Sequence, residues 1–355
     1  MPFKAKFLAT GIGSMPFDNA DHAVDISLQH MSECPIWPQL PKFGFHEQME
    51  IQYSEGMPCT VIDNEKNRMY FDTGGDYSEA FAEFYEKYLS ATEGGGDCAA
   101  MAISPSFSKG INAFESRLKQ TDSTLPFIKV QVIGPCSFAL TIVDENKRAI
   151  FYNEEFRDMI VKAIVMKARW QIQKFKPFST QGCICFIDEP ILSAFGSSTY
   201  VSVTREDIVA LLSEVIEAIR MDGGISGIHC CGNTEWSIPV DAGVDIINFD
   251  AFDFGETIAM YADAVKKHLA RGGLLAWGII PTNIKIREHS VESLCAKLEL
   301  VMDNLSSKGI DKKVICEQAI ITPSCGTGSM ECADAEKVFS MLSAVSETMR
   351  VKYFS

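Results

Sequence analysis

The feature that most constrains this chain is an alternation of short apolar runs with long amphipathic stretches. The runs fall near positions 7–13, 36–40, 128–134, 183–188, 225–231, 244–250, 273–280 and 319–322. Between most of them lie stretches with apolar residues at helical spacing, at 154–175, 205–221, 257–270, 291–308 and 335–351. A strand covered on both faces reads as a continuous apolar run, and strands separated by helices pair in parallel. The expected class is therefore α/β, a single (β/α)8 TIM barrel spanning residues 1–355 as one domain. One region breaks the pattern, an insertion at about 50–125. Alternation at 53–73 around Asp63-Asn64-Glu65-Lys66-Asn67 predicts an inserted β-hairpin. Extra helices are expected at 78–89 and about 109–120, with a loop at Gly94-Gly95-Gly96, all between strands 2 and 3.

An open doubly wound sheet is the alternative architecture. It calls for a glycine-rich phosphate loop after the first strand. Gly11-Ile12-Gly13-Ser14-Met15 lacks the third glycine and runs into Pro16, so the dinucleotide fingerprint is absent.

Composition narrows the function. A net charge of -15 argues against nucleic acid or an anionic membrane as the main partner. No run reaches the ~18 apolar residues of a membrane span, and the first residues lack a long apolar core of the signal-peptide kind. The 12 cysteines are thus expected to be reduced, and the protein cytoplasmic. Most of them lie in apolar runs, where cysteine packs as a small hydrophobe.

Two segments depart from that packing role. Ile228-His229-Cys230-Cys231-Gly232-Asn233 ends one apolar run, and Pro323-Ser324-Cys325-Gly326 follows another. Strand side chains alternate, so His229 and Cys231 share a direction and Cys230 points the other way. Both segments fall at carboxyl ends of strands, where barrel active sites collect. One imidazole and two thiolates suit zinc, with a fourth position left for a carboxylate, water or substrate. Buried packing of the same residues is the competing reading. Asp250 ends the next strand and is either a fourth metal ligand or a turn cap.

Zinc held by thiolates would serve to bind an incoming thiol and strip its proton, making a nucleophile. A zinc hydroxide hydrolase is the other use of such a site. Asp188 and Glu189 end another strand before Pro190 and are candidate catalytic carboxylates. Gly13 and Ser14 end the first strand and offer close backbone approach and a hydroxyl to a substrate. Gly44–Glu50 is a possible substrate wall without an assigned role, and Trp37 and Trp277 suit either core packing or ring stacking.

Five motifs together resemble a known family. They are TGIGSMPF at 10–17, QVIGPCSF at 131–138, FIDEP at 186–190, IHCCGNTEW at 228–236 and ITPSCGTG at 321–328. Their order resembles the catalytic barrel of cobalamin-independent methionine synthase and the methylcobamide:coenzyme M methyltransferases, in the superfamily of uroporphyrinogen decarboxylase. The resemblance implies zinc on His229, Cys231 and Cys325, and methyl transfer to a zinc-bound small thiol. It implies acceptor-binding roles for Ser14 and Asp188. The donor it implies is either a methylcobamide on a separate corrinoid protein or methyltetrahydrofolate, and the H-x-C-G-N-T wording is closer to the corrinoid branch. The chain departs in three places. Asp250 stands where the synthases have a glutamate, Gly44–Glu50 does not align with their acidic acceptor motif, and their N-terminal barrel half is absent. No arginine precedes Arg68, which counts against the decarboxylase chemistry. A metal-free lyase and a non-catalytic corrinoid- or zinc-binding barrel complete the alternatives.

Overall fold

The computed structural model describes residues 3–92, 96–121, 124–197, 200 and 202–355. Of the expected Gly94-Gly95-Gly96 loop, Gly94 and Gly95 lie outside these residues. The chain forms strands β1 (Leu8–Ala9), β2 (Thr60–Asp63), β3 (Arg68–Phe71), β4 (Ile128–Ile133), β5 (Cys183–Asp188), β6 (Ile225–Cys230), β7 (Ile246–Phe249), β8 (Leu274–Ile280) and β9 (Ala319–Pro323). Seven of them make one parallel sheet in the order β1-β9-β8-β7-β6-β5-β4.

The expected eighth strand at 36–40 is not a ladder strand. It makes two isolated parallel bridges instead, Ser14 with Gln39 and Ile36 with Lys129. The bridging amides are Met15 to the Gln39 carbonyl at 2.8 Å, Gln39 to Gly13 at 3.0 Å and Lys129 to Pro35 at 2.9 Å. Pro35, Pro38 and Pro41 punctuate this stretch, and a proline has no N–H to give a ladder. The expected eight-strand barrel is thus realised as a curled seven-stranded sheet whose two edges both touch residues 36–39.

Alternation along the strands separates two cores. Leu8, Ile184, Phe186, Ile246, Leu274, Ala276 and Ile320 pack with one another on the inner face. Cys183, Cys185, Ile187, Ile228, Cys230, Ile247 and Ile321 pack outward against the helices. Both faces are covered, which accounts for the continuous apolar runs.

The insertion folds as an antiparallel β2–β3 hairpin, Thr60 opposite Phe71 and Asp63 opposite Arg68. Helices Ser78–Thr92 and Lys109–Lys119 follow it. Residues at the start of the expected alternation are helical instead, in Met49–Ser54. The insertion explains the helix Glu154–Phe175, buried nearly all round. One side faces the sheet, and Phe81 of the insertion packs on Phe156 with ring centroids 5.0 Å apart. No helix among the described residues is long and apolar enough to cross a membrane.

Candidate active site

The carboxyl ends of the strands open into a cavity of about 560 Å³. Its wall includes Ser14, Gln39, Glu47, Asp188, His229, Cys231 and Cys325. Four separate strand ends and the 36–49 segment deliver these residues, as the barrel plan requires.

His229, Cys231 and Cys325 each present one ligand atom, and these atoms lie within 4.8 Å of one another. Cys230 is fully buried on the opposite face of β6. His229 is 3% exposed, and its Nδ1 lies 2.5 Å from Oδ1 of Asn248. Asn248 is its partner across the β6–β7 pair. The Asn248 amide in turn donates to the Ala276 carbonyl at 2.9 Å and to Thr322 Oγ1 at 2.8 Å. With its nitrogen committed twice, the Asn248 side chain can only turn its oxygen to the imidazole. Nδ1 is therefore the nitrogen that donates to Asn248, and Nε2 is the ring nitrogen on the side of the sulfurs. A soft donor set with its imidazole tautomer fixed fits zinc.

The two sulfurs are near enough to influence each other. A hydrogen bond from Cys325, then the His229 ring, holds the Cys231 thiol well below its ordinary range. The Cys325 thiol is pushed up, first by the neighbouring Cys231 sulfur and then by burial. The group is thus already inclined to thiolate, the form a metal ligand needs.

Asp250 stands outside this group of ligand atoms. Its Oδ1 accepts from the amides of Phe252 at 2.9 Å and Asp253 at 2.8 Å, closing the turn after β7. Burial pushes its carboxyl up to about 6.

Asp188 and Glu189 part company. Asp188 lines the cavity, and its Oδ1 is buried with no hydrogen-bond partner. Glu189 turns the other way and is fully buried. Its Oε1 accepts from the Cys136 amide at 2.9 Å, and its Oε2 accepts from the Ser137 amide and hydroxyl, both at 2.7 Å. It thereby caps the helix Pro135–Thr141. The carboxylate lies so close over Gly134 that a Cβ there would meet its carbon at 2.0 Å. Glu189, expected as a catalytic group, is by this placement a structural clamp.

Ser14 locks two loops together. Its carbonyl accepts from the Thr327 amide at 2.8 Å, and its hydroxyl sits where a Cβ on Gly326 would be, at 2.0 Å. Gly13 lies beneath the Gln39 side chain, whose Oε1 would be 2.7 Å from a Cβ. Trp37 and Trp277 are fully buried, and Trp37 Nε1 donates to Gln171 Oε1 at 2.8 Å, so neither offers a ring to the cavity.

Glu47 is a site residue that sequence motifs left unassigned. It is 4% exposed and lines the cavity. Its Oε1 accepts from the Lys109 amide at 2.7 Å, while its Oε2 is buried without a partner. Burial pushes its carboxyl up to about 7. Its loop position carries no periodic signal; the short 3-10 turn Phe45–Glu47 directs it inward. Asn248 was also missed, although a polar residue inside an apolar strand, in register with a histidine, is a readable sign.

No protein-family model matches the chain, and no curated protein matches it. Solved structures do. A methyltransferase from Methanosarcina mazei is 13% identical, with a TM-score of 0.54 over 96% of this chain and 88% of its own. A Listeria monocytogenes protein described as a vitamin-B12 independent methionine synthase is 11% identical, with a TM-score of 0.55 over 98% of each chain. At these identities the likeness is one of fold: over nearly its full length this chain has the fold of a methyltransferase and of a methionine synthase-like protein.

Proposed function

We propose that this protein is a zinc-dependent methyltransferase that methylates a small thiol carrying an ammonium group, an amino-acid thiol of the homocysteine kind. The carrying observation is the shared cavity of a His229/Cys231/Cys325 donor set and two unpartnered buried carboxylate oxygens, Glu47 Oε2 and Asp188 Oδ1. Buried acceptors without donors are costly, so they call for a ligand that brings N–H groups. An ammonium supplies three donors and a charge of the right sign. Apart from His229, the charged groups on the cavity wall are three carboxylates, Glu47, Glu50 and Asp188, and one ammonium, Lys42, a balance that favours a cationic head group over a sulfonate.

Zinc on the three donors would lower the pKa of the acceptor thiol so that thiolate dominates at neutral pH. The chain's own part is placement. Asn248 fixes the His229 tautomer, Asp188 and Glu47 hold the ammonium, and the loop of Gly13 and Ser14 closes the wall beside Gly326. Together they aim the sulfur toward the open mouth and restrict its approach.

The donor best suited to that mouth is a methylcorrinoid carried by a separate protein. Among the described residues the cavity wall carries no Phe, Tyr or Trp ring on which a pterin would stack. A single-barrel methionine synthase using methyltetrahydrofolate is the second reading, favoured by the full-length likeness to the Listeria protein. The contacts of residues 36–39 with both sheet edges support a closed eight-membered barrel. All 12 cysteines are free, which supports a reducing, cytoplasmic setting.

The test is demethylation of methylcobalamin and of methyltetrahydrofolate with homocysteine, alongside metal analysis. Zinc near one equivalent and activity lost in Cys325→Ser are expected. A zinc-free active protein, or full activity in Cys325→Ser, refutes the proposal.

A further inference from the structure

The cavity wall is charged unevenly. Glu47, Glu50 and Asp188 bring carboxylates to it, and among the described residues Lys42 brings the one ammonium. The chain as a whole carries a net charge of -15. Its field repels an incoming carboxylate, so an acid can settle in this cavity only beside a local cation.

Local structure holds Lys42 at the wall. Pro41–Phe43 and Phe45–Glu47 are consecutive 3-10 turns joined by Gly44, whose φ of +132° favours glycine. The Phe43 amide closes the first turn on the Leu40 carbonyl at 3.0 Å, and the Gly44 amide reaches the Pro41 carbonyl at 3.3 Å. Gln48 Nε2 donates to that same carbonyl at 3.3 Å. Pro41 also packs near Gly328 of the loop after β9. A Cβ on Gly328 would lie 3.0 Å from Pro41 Cγ and 3.0 Å from Ser14 Cβ. One strap thus carries a cation, Lys42, and a carboxylate, Glu47, to the same cavity, and it is anchored beside the Ser14 loop.

The fold does not use the Lys42 charge. The ammonium forms no ion pair among the described residues, and its polar neighbour is the Cys332 sulfur, at 3.8 Å. That thiol donates to the Pro16 carbonyl at 3.3 Å and opens the helix Cys332–Phe354, whose amino end has no side-chain cap. A thiol is a weak acceptor, and a helix amino end carries partial positive charge, so neither neutralises the ammonium. The side chain is exposed, which keeps its donors available to a ligand.

We propose that Lys42 binds the carboxylate of the acceptor, so that the pocket selects a whole amino acid over a simple aminothiol. This rests on the amino-acid thiol reading above. An α-amino acid bears its ammonium and its carboxylate on one carbon, and the strap offers Glu47 to the first and Lys42 to the second.

The experiment is calorimetric titration of three probes onto the zinc-loaded protein. They are homocysteine, 3-aminopropane-1-thiol, which lacks the carboxylate, and 4-mercaptobutyrate, which lacks the amino group. Wild type, Lys42→Gln and Lys42→Arg are compared. Lys42→Gln is expected to weaken homocysteine and 4-mercaptobutyrate about fivefold or more, the scale of a charge-assisted contact at an open cavity mouth. Its affinity for 3-aminopropane-1-thiol is expected to stay within about threefold of wild type, because that probe does not use Lys42. Lys42→Arg keeps the charge and is expected to hold homocysteine within about threefold of wild type. Unchanged homocysteine affinity in Lys42→Gln, or equal loss for homocysteine and 3-aminopropane-1-thiol, overturns the assignment. A loss in Lys42→Arg as large as that in Lys42→Gln does the same. Wild-type protein that binds homocysteine no better than 4-mercaptobutyrate refutes the ammonium reading on which the assignment rests. The 3-aminopropane-1-thiol comparison tells that failure apart from a failure of Lys42.

Discussion

Asn248 Oδ1 lies 2.5 Å from His229 Nδ1, and the Asn248 nitrogen is committed to Ala276 and Thr322. A single asparagine therefore decides which imidazole nitrogen faces the two sulfurs. Asn248→Ala is expected to weaken zinc binding about 10–100-fold, the usual cost of losing such a support. Asn248→Asp keeps an acceptor oxygen and is expected to retain most of the affinity. Competition with a chromophoric chelator measures both, and equal affinity of Asn248→Ala and wild type contradicts the role.

Glu47 contributes to the pH dependence of stability, alongside Glu189, which burial likewise pushes up to about 7. The Glu47 carboxyl is pushed up to about 7 from an ordinary 4.5, mainly by burial. The folded state then binds a proton that the unfolded state has already released. The sign is that ligand-free stability falls as pH rises from about 4.5 to about 7, and this contribution is complete above 7. Glu47→Gln removes the titration, so its unfolding temperature should depend less on pH across that window. Parallel curves for wild type and Glu47→Gln would show that Glu47 is not a source.

The two adjacent acids should separate by experiment. Asp188→Asn is expected to raise KM for homocysteine about tenfold or more, because a carboxylate facing an ammonium is lost. Its unfolding temperature should change little or rise, since its Oδ1 has no partner to lose. Glu189→Ala strips the cap from helix Pro135–Thr141 and is expected to cost about 2 kcal/mol or more in urea unfolding. Equal effects on KM and stability from both changes would contradict the division.

Gly134 tests the same clamp from the other side. A Cβ there would lie 2.0 Å from the Glu189 carboxyl carbon. Gly134→Ala is expected to destabilise by about 2 kcal/mol or more through overpacking. Zinc affinity of the folded fraction should be unchanged. In Gly134→Ala/Glu189→Ala the penalty of the added methyl should largely vanish, and a double variant whose losses simply add would refute the clash.

Much of this was legible in the sequence, for definite reasons. The parallel sheet is written in the apolar runs because both its faces are covered. Period-two alternation separated Cys231 from Cys230 before any fold was known. The hairpin followed from the polar turn 64–67 between β-rich flanks. What failed has equally definite causes. Residues 36–40 read as a strand by apolarity, but Pro35, Pro38 and Pro41 leave too few amides for a ladder. Glu189 looked like an active-site acid because of its neighbour, yet only the packing of Gly134 and Pro135–Thr141 decides its direction. Glu47 reaches the cavity through a loop whose path depends on contacts with Lys109, distant in sequence. Alternation could likewise bring Asp250 near the thiols, but the turn amides that occupy its Oδ1 are a tertiary fact.

The central claim is that His229, Cys231 and Cys325 form a metal centre that takes up the acceptor's sulfur. Zinc K-edge X-ray absorption of the purified protein, with and without homocysteine, tests it most directly. The account predicts a resting shell of two sulfurs with lighter N/O neighbours, near the ~2.3 Å Zn–S and ~2.0–2.1 Å Zn–N distances of such sites, and one further sulfur when homocysteine is added. A shell without sulfur, or one that homocysteine leaves unchanged, would contradict it.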